Sequence, residues 1–97
     1  MNKSGYVYIL FNKPNGTLYV GVTSNLIKRV FEHKQKYDKD CFTAKYSVDK
    51  LGYYEVCNNI ETAIILEKHI KSQDRHLKLR LITKGNPFWK DLYDDIV

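Results

Sequence analysis

Residues Tyr6-Val7-Tyr8-Ile9-Leu10-Phe11 and Leu18-Tyr19-Val20-Gly21-Val22-Thr23 are two runs of β-branched and aromatic side chains separated by Lys13-Pro14-Asn15-Gly16. Proline presets φ for a turn and Asn and Gly tolerate positive φ, so this unit predicts a β-hairpin. Successive strand side chains point to opposite faces, and the register therefore decides whether Tyr8 and Tyr19 can work together. An even number of connecting residues puts both on one face. A three-residue turn with a glycine bulge at Gly16 puts them on opposite faces unless a second bulge compensates. The sequence is compatible with either.

Thr23-Ser24-Asn25 supplies N-cap candidates for a helix from Leu26 to about Lys36, with Leu26, Ile27, Val30 and Phe31 as its buried stripe. At about 100° per residue, Arg29 and His33 project together from one shoulder of that stripe. The stretch from Tyr37 to Ser47 is polar without a clear period and reads as a loop with room for a helical turn. Leu51 to Val56 reads as a third strand. A second helix starts near the Asn59 cap and runs to about Gln73. Leu77 to Ile82 continues it or forms another short helix, stopped at Gly85-Asn86-Pro87. In the tail, Trp89, Leu92, Tyr93 and Ile96 are spaced for a short amphipathic helix docking on the body. This order predicts an α+β fold, a small three-stranded antiparallel sheet flanked by helices.

A chain of 97 residues with 43% apolar content is sized for one domain spanning 1–97, with 86–97 as a C-terminal tail. A core this small leaves little room for an organic cofactor, so chemistry is expected from side chains and at most an ion. Sixteen Lys and Arg against 11 Asp and Glu give a net charge of +5, and Asp91, Asp94 and Asp95 gather near the C-terminus, which leaves the body more basic. That charge suits a polyanionic partner but is shared by many proteins that bind none. Cys41 and Cys57 stand alone, with no zinc-site or disulfide spacing, as suits a reducing cytoplasm. The apolar run Tyr6–Phe11 is too short for a signal peptide or membrane span, so a soluble, cytoplasmic protein without a membrane partner is expected.

Glu67 is the most informative single position. On the second helix Ile60, Ala63, Ile64 and Ile70 span an arc of about 120°, and Glu67 falls near its middle. A carboxylate aimed inward is explained by a salt bridge, by water at the core's edge, by a shifted helix boundary, or by a metal or catalytic role. Arg29 and His33 read either as a solvated basic shoulder with Lys28 and Lys34 or as a phosphate-handling pair, since a guanidinium matches phosphate oxygens and a histidine moves protons. Strand tyrosines are most often packing residues, so the eight Tyr are not eight functional sites.

The series Tyr6-Val7-Tyr8, Tyr19-Val20-Gly21, Arg29 and His33 on the next helix, then Glu67 on a later one, resembles the GIY-YIG nuclease superfamily. Leu18 to Leu26 and the closing Asn86-Pro87-Phe88-Trp89 are similar to its small stand-alone bacterial group, related to the incision domain of excision-repair nucleases. The resemblance implies that Tyr8 is the first-motif tyrosine and Tyr19 the second, acting as general base or water-positioning group. It implies that Arg29 binds the scissile phosphate, that His33 assists proton transfer or orients Tyr19, and that Glu67 holds a divalent ion, Mg²⁺ or Mn²⁺. Lys28 and Asn86 would join Arg29 in contacting nucleic acid. The first motif's glycine position holds Tyr6, with Gly5 one place earlier, which is expected to alter backbone freedom more than chemistry.

A hard ion that keeps most of its waters needs only one or two carboxylates. Tyrosine, with a pKa near ~10, is a poor base at neutral pH and needs a partner, for which His33 is the candidate. The expectation is a metal-dependent endonuclease acting on DNA or structured nucleic acid. The alternatives are a non-cleaving nucleic-acid-binding module of the same fold and, more remotely, an interaction domain in which Glu67 merely pairs with Arg29 or a lysine.

Overall fold

The computed structural model describes residues 4–97. Strands β1 (Gly5–Phe11) and β2 (Leu18–Thr23) are followed by α1 (Leu26–Gln35), the single turn α2 (Phe42–Lys45), β3 (Lys50–Cys57), α3 (Ile60–Ser72), α4 (Arg75–Gly85) and α5 (Tyr93–Ile96). The fold is α+β: one antiparallel sheet in the order β2-β1-β3, flanked by helices. Central β1 is covered on both faces. Val7 and Ile9 face a core completed by Ala63 and Ile70 of α3 and Ile82 of α4. Tyr8 and Leu10 face a second core with Leu26 and Val30 of α1, Val48 and Leu51, closed by Leu92, Tyr93 and Ile96 from the tail.

The hairpin register is the even one. Leu10 pairs with Tyr19 and Tyr8 with Gly21, so both tyrosines lie on one face. The turn closes with the Gly16 amide donating to the Lys13 carbonyl at 2.8 Å, and Asn15, at φ 57°, takes the left-handed position that a Gly16 bulge would have used. The Asn12 side chain accepts from the Thr17 amide at 2.9 Å, and Arg75 at the start of α4 donates to the carbonyls of Asn15 and Gly16.

Asn25, Asn59 and Asp74 cap α1, α3 and α4, each accepting from the amide three residues on. The Asp74 cap separates α4 from α3. Both apolar stripes differ from the periodicity reading. In α1, Leu26, Val30 and His33 are buried whereas Ile27 and Phe31 are 45% and 43% exposed. His33 therefore lies inside the stripe while Arg29 stays outside. In α3 the buried residues are Ala63, Glu67 and Ile70, with Ile64 exposed, so Glu67 remains central on a face rotated away from Ile64.

Gly5 serves close approach rather than backbone freedom: no glycine has positive φ, and a Cβ there would meet Ala63 Cβ at 2.6 Å and the Asn59 carbonyl at 2.8 Å. The start of α3 thus presses directly on β1. Tyr6, in the motif's glycine position, packs at the margin of the second core.

Candidate active site

Three ring systems meet on the α1 face of the sheet. Tyr8 and Tyr19 have ring centroids 6.4 Å apart, and His33 lies 5.9 Å from the first and 5.6 Å from the second. The imidazole bridges two buried hydroxyls: Nε2 is 3.1 Å from the Tyr8 oxygen and Nδ1 is 3.0 Å from Thr43 Oγ1. His33 bonds to Tyr8 because α1 rolls its histidine inward over β1, whereas the resemblance implied that it assists proton transfer or orients Tyr19. The Tyr8 phenol has room only because its cross-strand neighbour is Gly21, where a Cβ would overlap the phenol's Cζ and oxygen.

Burial drives the site's ionisation. Burial first, then the neighbouring Tyr19, push Tyr8 up to about 12, against the opposing pull of Arg29. Burial first, then the Arg29 charge, lower His33 to about 4. At neutral pH the pair is a protonated phenol beside a neutral imidazole. Arg29 lies next to Tyr8 and also pairs with Glu32 at 3.2 Å, a half-exposed contact worth roughly 0–1 kcal/mol, so its guanidinium is readily released to another anion.

Glu67 reaches the cluster from the opposite layer. Its side chain is only 11% exposed and pairs with Lys71 at 2.8 Å, so the salt-bridge explanation of an inward carboxylate is realised. Lys71 also lies over the Tyr19 ring, 5.9 Å from the centroid. The layers meet here because β2 is an edge strand and α3 side chains extend past it. The carboxylate is close enough to contribute, as the weakest of the causes, to the rise of Tyr8. Among the described residues no three His, Cys, Asp or Glu side chains cluster. The donor set is thus one hard carboxylate, which fits an ion that keeps most of its waters once Lys71 yields.

Lys28 is exposed beside Arg29 on a shallow hollow formed with Thr23, Ser24, Asn25 and Glu32. A second hollow brings Lys71, Arg75 and Lys78 around Tyr19. Asn86 does not join the cluster. It is 6% exposed, and its amide donates to the carbonyls of Gly52 and Lys90 and accepts from the Lys90 amide, tying the tail to β3, the edge opposite Tyr19. A hollow of about 520 Å³ lies there between β3 and α4 and contains none of the clustered side chains.

Residue patterns passed over Thr43 and Lys71. Thr43 sits in a segment without period, and nothing in the sequence marked it. Lys71 stands four residues after Glu67, the spacing at which an acid and a base meet on a helix, and that signal was present. Among the described residues no helix is long and apolar enough to cross a membrane.

A model of the GIY-YIG catalytic domain matches residues 4–80. The chain is 34% identical over 87 residues to the UPF0213 protein of the VLF1-GP41 intergenic region of Autographa californica nuclear polyhedrosis virus, covering 89% of this chain and 82% of that one. It is 37% identical over 82 residues to a UPF0213 protein of Syntrophus aciditrophicus, covering 84% and 92% respectively. A GIY-YIG domain-containing protein, 242L, of Invertebrate iridescent virus 6 is 30% identical over 81 residues, 82% of this chain and 81% of its own length. No solved structure gives a significant match.

Proposed function

Because the chain belongs to the GIY-YIG catalytic domain family, a nuclease-type domain, we propose that it is a metal-dependent endonuclease hydrolysing phosphodiester bonds in DNA or structured nucleic acid. The observation that carries this reading is the meeting of Tyr8, Tyr19 and His33 beside Arg29, with the Glu67 carboxylate within electrostatic reach. Arg29 exchanges Glu32 for the scissile phosphate and offsets charge building on its oxygens. The attacking water lies between the two phenols. The water oxygen bonds to phosphorus as the bond to the leaving sugar oxygen breaks, Tyr8 takes the water's proton while passing its own to His33 Nε2, and the leaving oxygen takes a proton from solvent. Tyr19 orients the water from the other side. At rest the gap between a Tyr8 near 12 and a His33 near 4 keeps the proton on Tyr8. Transfer therefore waits for cationic charge at the reacting phosphate. A divalent ion held by Glu67 would supply that charge as a Lewis acid. Glu67 must first part from Lys71, whose ammonium is then free for a neighbouring phosphate.

The Glu67–Lys71 pair also favours a second reading, a module that binds nucleic acid without cutting, because the carboxylate is already neutralised. Labelled single-stranded, duplex and branched DNA incubated with Mg²⁺ or Mn²⁺ distinguishes the two. Product from the native chain, reduced about 100-fold or more in Arg29→Ala and Glu67→Ala, supports the nuclease. Cleavage unchanged by Glu67→Ala removes the ion assignment, and salt-sensitive binding without product supports the second reading.

A further inference from the structure

We propose that Thr43 is a positioning residue that fixes His33 in its Nδ1–H tautomer, leaving Nε2 as the acceptor for the Tyr8 hydroxyl proton. A neutral imidazole carries one N–H, and its two ring nitrogens here face two hydroxyls, Tyr8 at 3.1 Å and Thr43 at 3.0 Å. Either hydroxyl could donate or accept when viewed alone. The groups beyond them decide.

On one side, Tyr8 has the positive charge of Arg29 beside it. A phenol beside a positive charge is a stronger donor than an aliphatic hydroxyl, and His33 Nε2 is the acceptor in reach of its proton. Nδ1 then carries the hydrogen and donates to Thr43 Oγ1. On the other side, Cys41 Sγ lies 3.2 Å from Thr43 Oγ1, so Thr43 can pass its own proton on to sulfur. The result is a chain with one direction, Tyr8 to His33 to Thr43 to Cys41, in which every donor has an acceptor. Among the described residues no buried side-chain nitrogen or oxygen lacks a partner.

Thr43 is 3% exposed and is set by the single turn α2, whose burial of Thr43 and Ala44 anchors the hydroxyl under α1. Its importance for cleavage rests on the nuclease reading, but the tautomer itself does not. If the reverse tautomer were populated, Nε2–H would point at Tyr8 and the relay would have no acceptor. A threonine outside the ring cluster thus sets whether Tyr8 can pass on its proton.

The test uses the full chain labelled with ¹⁵N-histidine, in which His33 is one of three histidines. Two-bond proton–nitrogen correlation spectra distinguish a protonated from an unprotonated ring nitrogen. The native chain and Thr43→Ser are expected to show Nδ1–H at His33, and Thr43→Val to shift the majority to Nε2–H. Cleavage is expected to fall about tenfold or more in Thr43→Val and to recover in Thr43→Ser. Nε2–H at His33 in the native chain overturns the proposal, as does Nδ1–H retained in Thr43→Val. Should Thr43→Val fail to fold, the native and Thr43→Ser spectra still decide. Expected tautomers without cleavage by any chain would uphold the positioning of His33 and defeat the nuclease reading instead.

Discussion

Gly21 does for the site what no polar residue could. By presenting no Cβ on the face it shares with Tyr8, it lets the phenol lie across β2 and reach His33. Gly21→Ala should push the phenol aside, lower stability by about 1–3 kcal/mol as overpacking does, and remove the Tyr8–His33 bond. Urea denaturation measures the first effect. A fall in the Tyr8 pKa, followed by ultraviolet titration, measures the second. His33 carries a separate prediction. Its folded pKa, about 4, lies below the unfolded value of about 6.5, so in that window the unfolded chain binds more protons. Stability contributed by neutral His33 is present above pH ~6.5 and lost as pH falls towards ~4, by at most about 3 kcal/mol. Denaturation midpoints in His33→Asn should decline less than those of the native chain over that range, and equal declines would refute this. At this scale Glu67 stood out by its place on an apolar helix face and Arg29 with His33 by their spacing, whereas Tyr8 and Tyr19 were singled out only by the family resemblance. Their pairings were not legible, because whether His33 turns to Tyr8 or to Tyr19 depends on how far α1 rolls over the sheet.

In α1 and α3 the buried stripe is rotated from the one that periodicity locates, and the rotation matters. In α1, Ile27 and Phe31 looked as suited to the core as His33 looked suited to solvent, and the outcome is reversed. The reversal follows from Tyr8 and Thr43, whose hydroxyls satisfy the imidazole that an apolar core would have rejected. The tail is held by a comparable polar exchange. Asp91 accepts from Lys34 at 2.6 Å, from the Leu51 amide at 3.0 Å and from the Tyr93 amide at 3.1 Å, joining α1, β3 and α5. Burial would raise its pKa, but these bonds more than reverse that. Asp91→Ala should leave the Leu51 amide and Lys34 without this partner and lower stability by about 1–3 kcal/mol, read in urea melts, with Leu92, Tyr93 and Ile96 more open to solvent. A melt within a few tenths of a kcal/mol of native would show that the apolar contacts hold the tail alone. Such long-range pairing, 40 residues between Leu51 and Asp91, has no local trace in a sequence.

For the molecule as a whole, hairpin, helix, strand and helix in one short chain left few ways to build a sheet, which is why the architecture could be read in advance. The distribution of charge could not. Lys28 and Arg29 stand on one side of Tyr8 and Tyr19, and Lys71, Arg75 and Lys78 on the other. These come from helices on different faces of the sheet. DNA affinity should therefore fall steeply with salt, and Arg29→Ala should flatten the log–log slope by about one. Fluorescence anisotropy across a salt series measures this, and a native slope near zero would count against DNA as the partner.

The central position of β1 bears on how the chain tolerates opening. Strands at the margins of a sheet fray often, while an inner strand shielded on both faces releases its amides mainly when the entire domain unfolds. Tyr8 resides on that inner strand, whereas Tyr19, Lys71 and Glu67 meet at the β2 margin. The site is thus divided between a half that keeps its geometry for as long as the protein remains folded and a half that can loosen by itself.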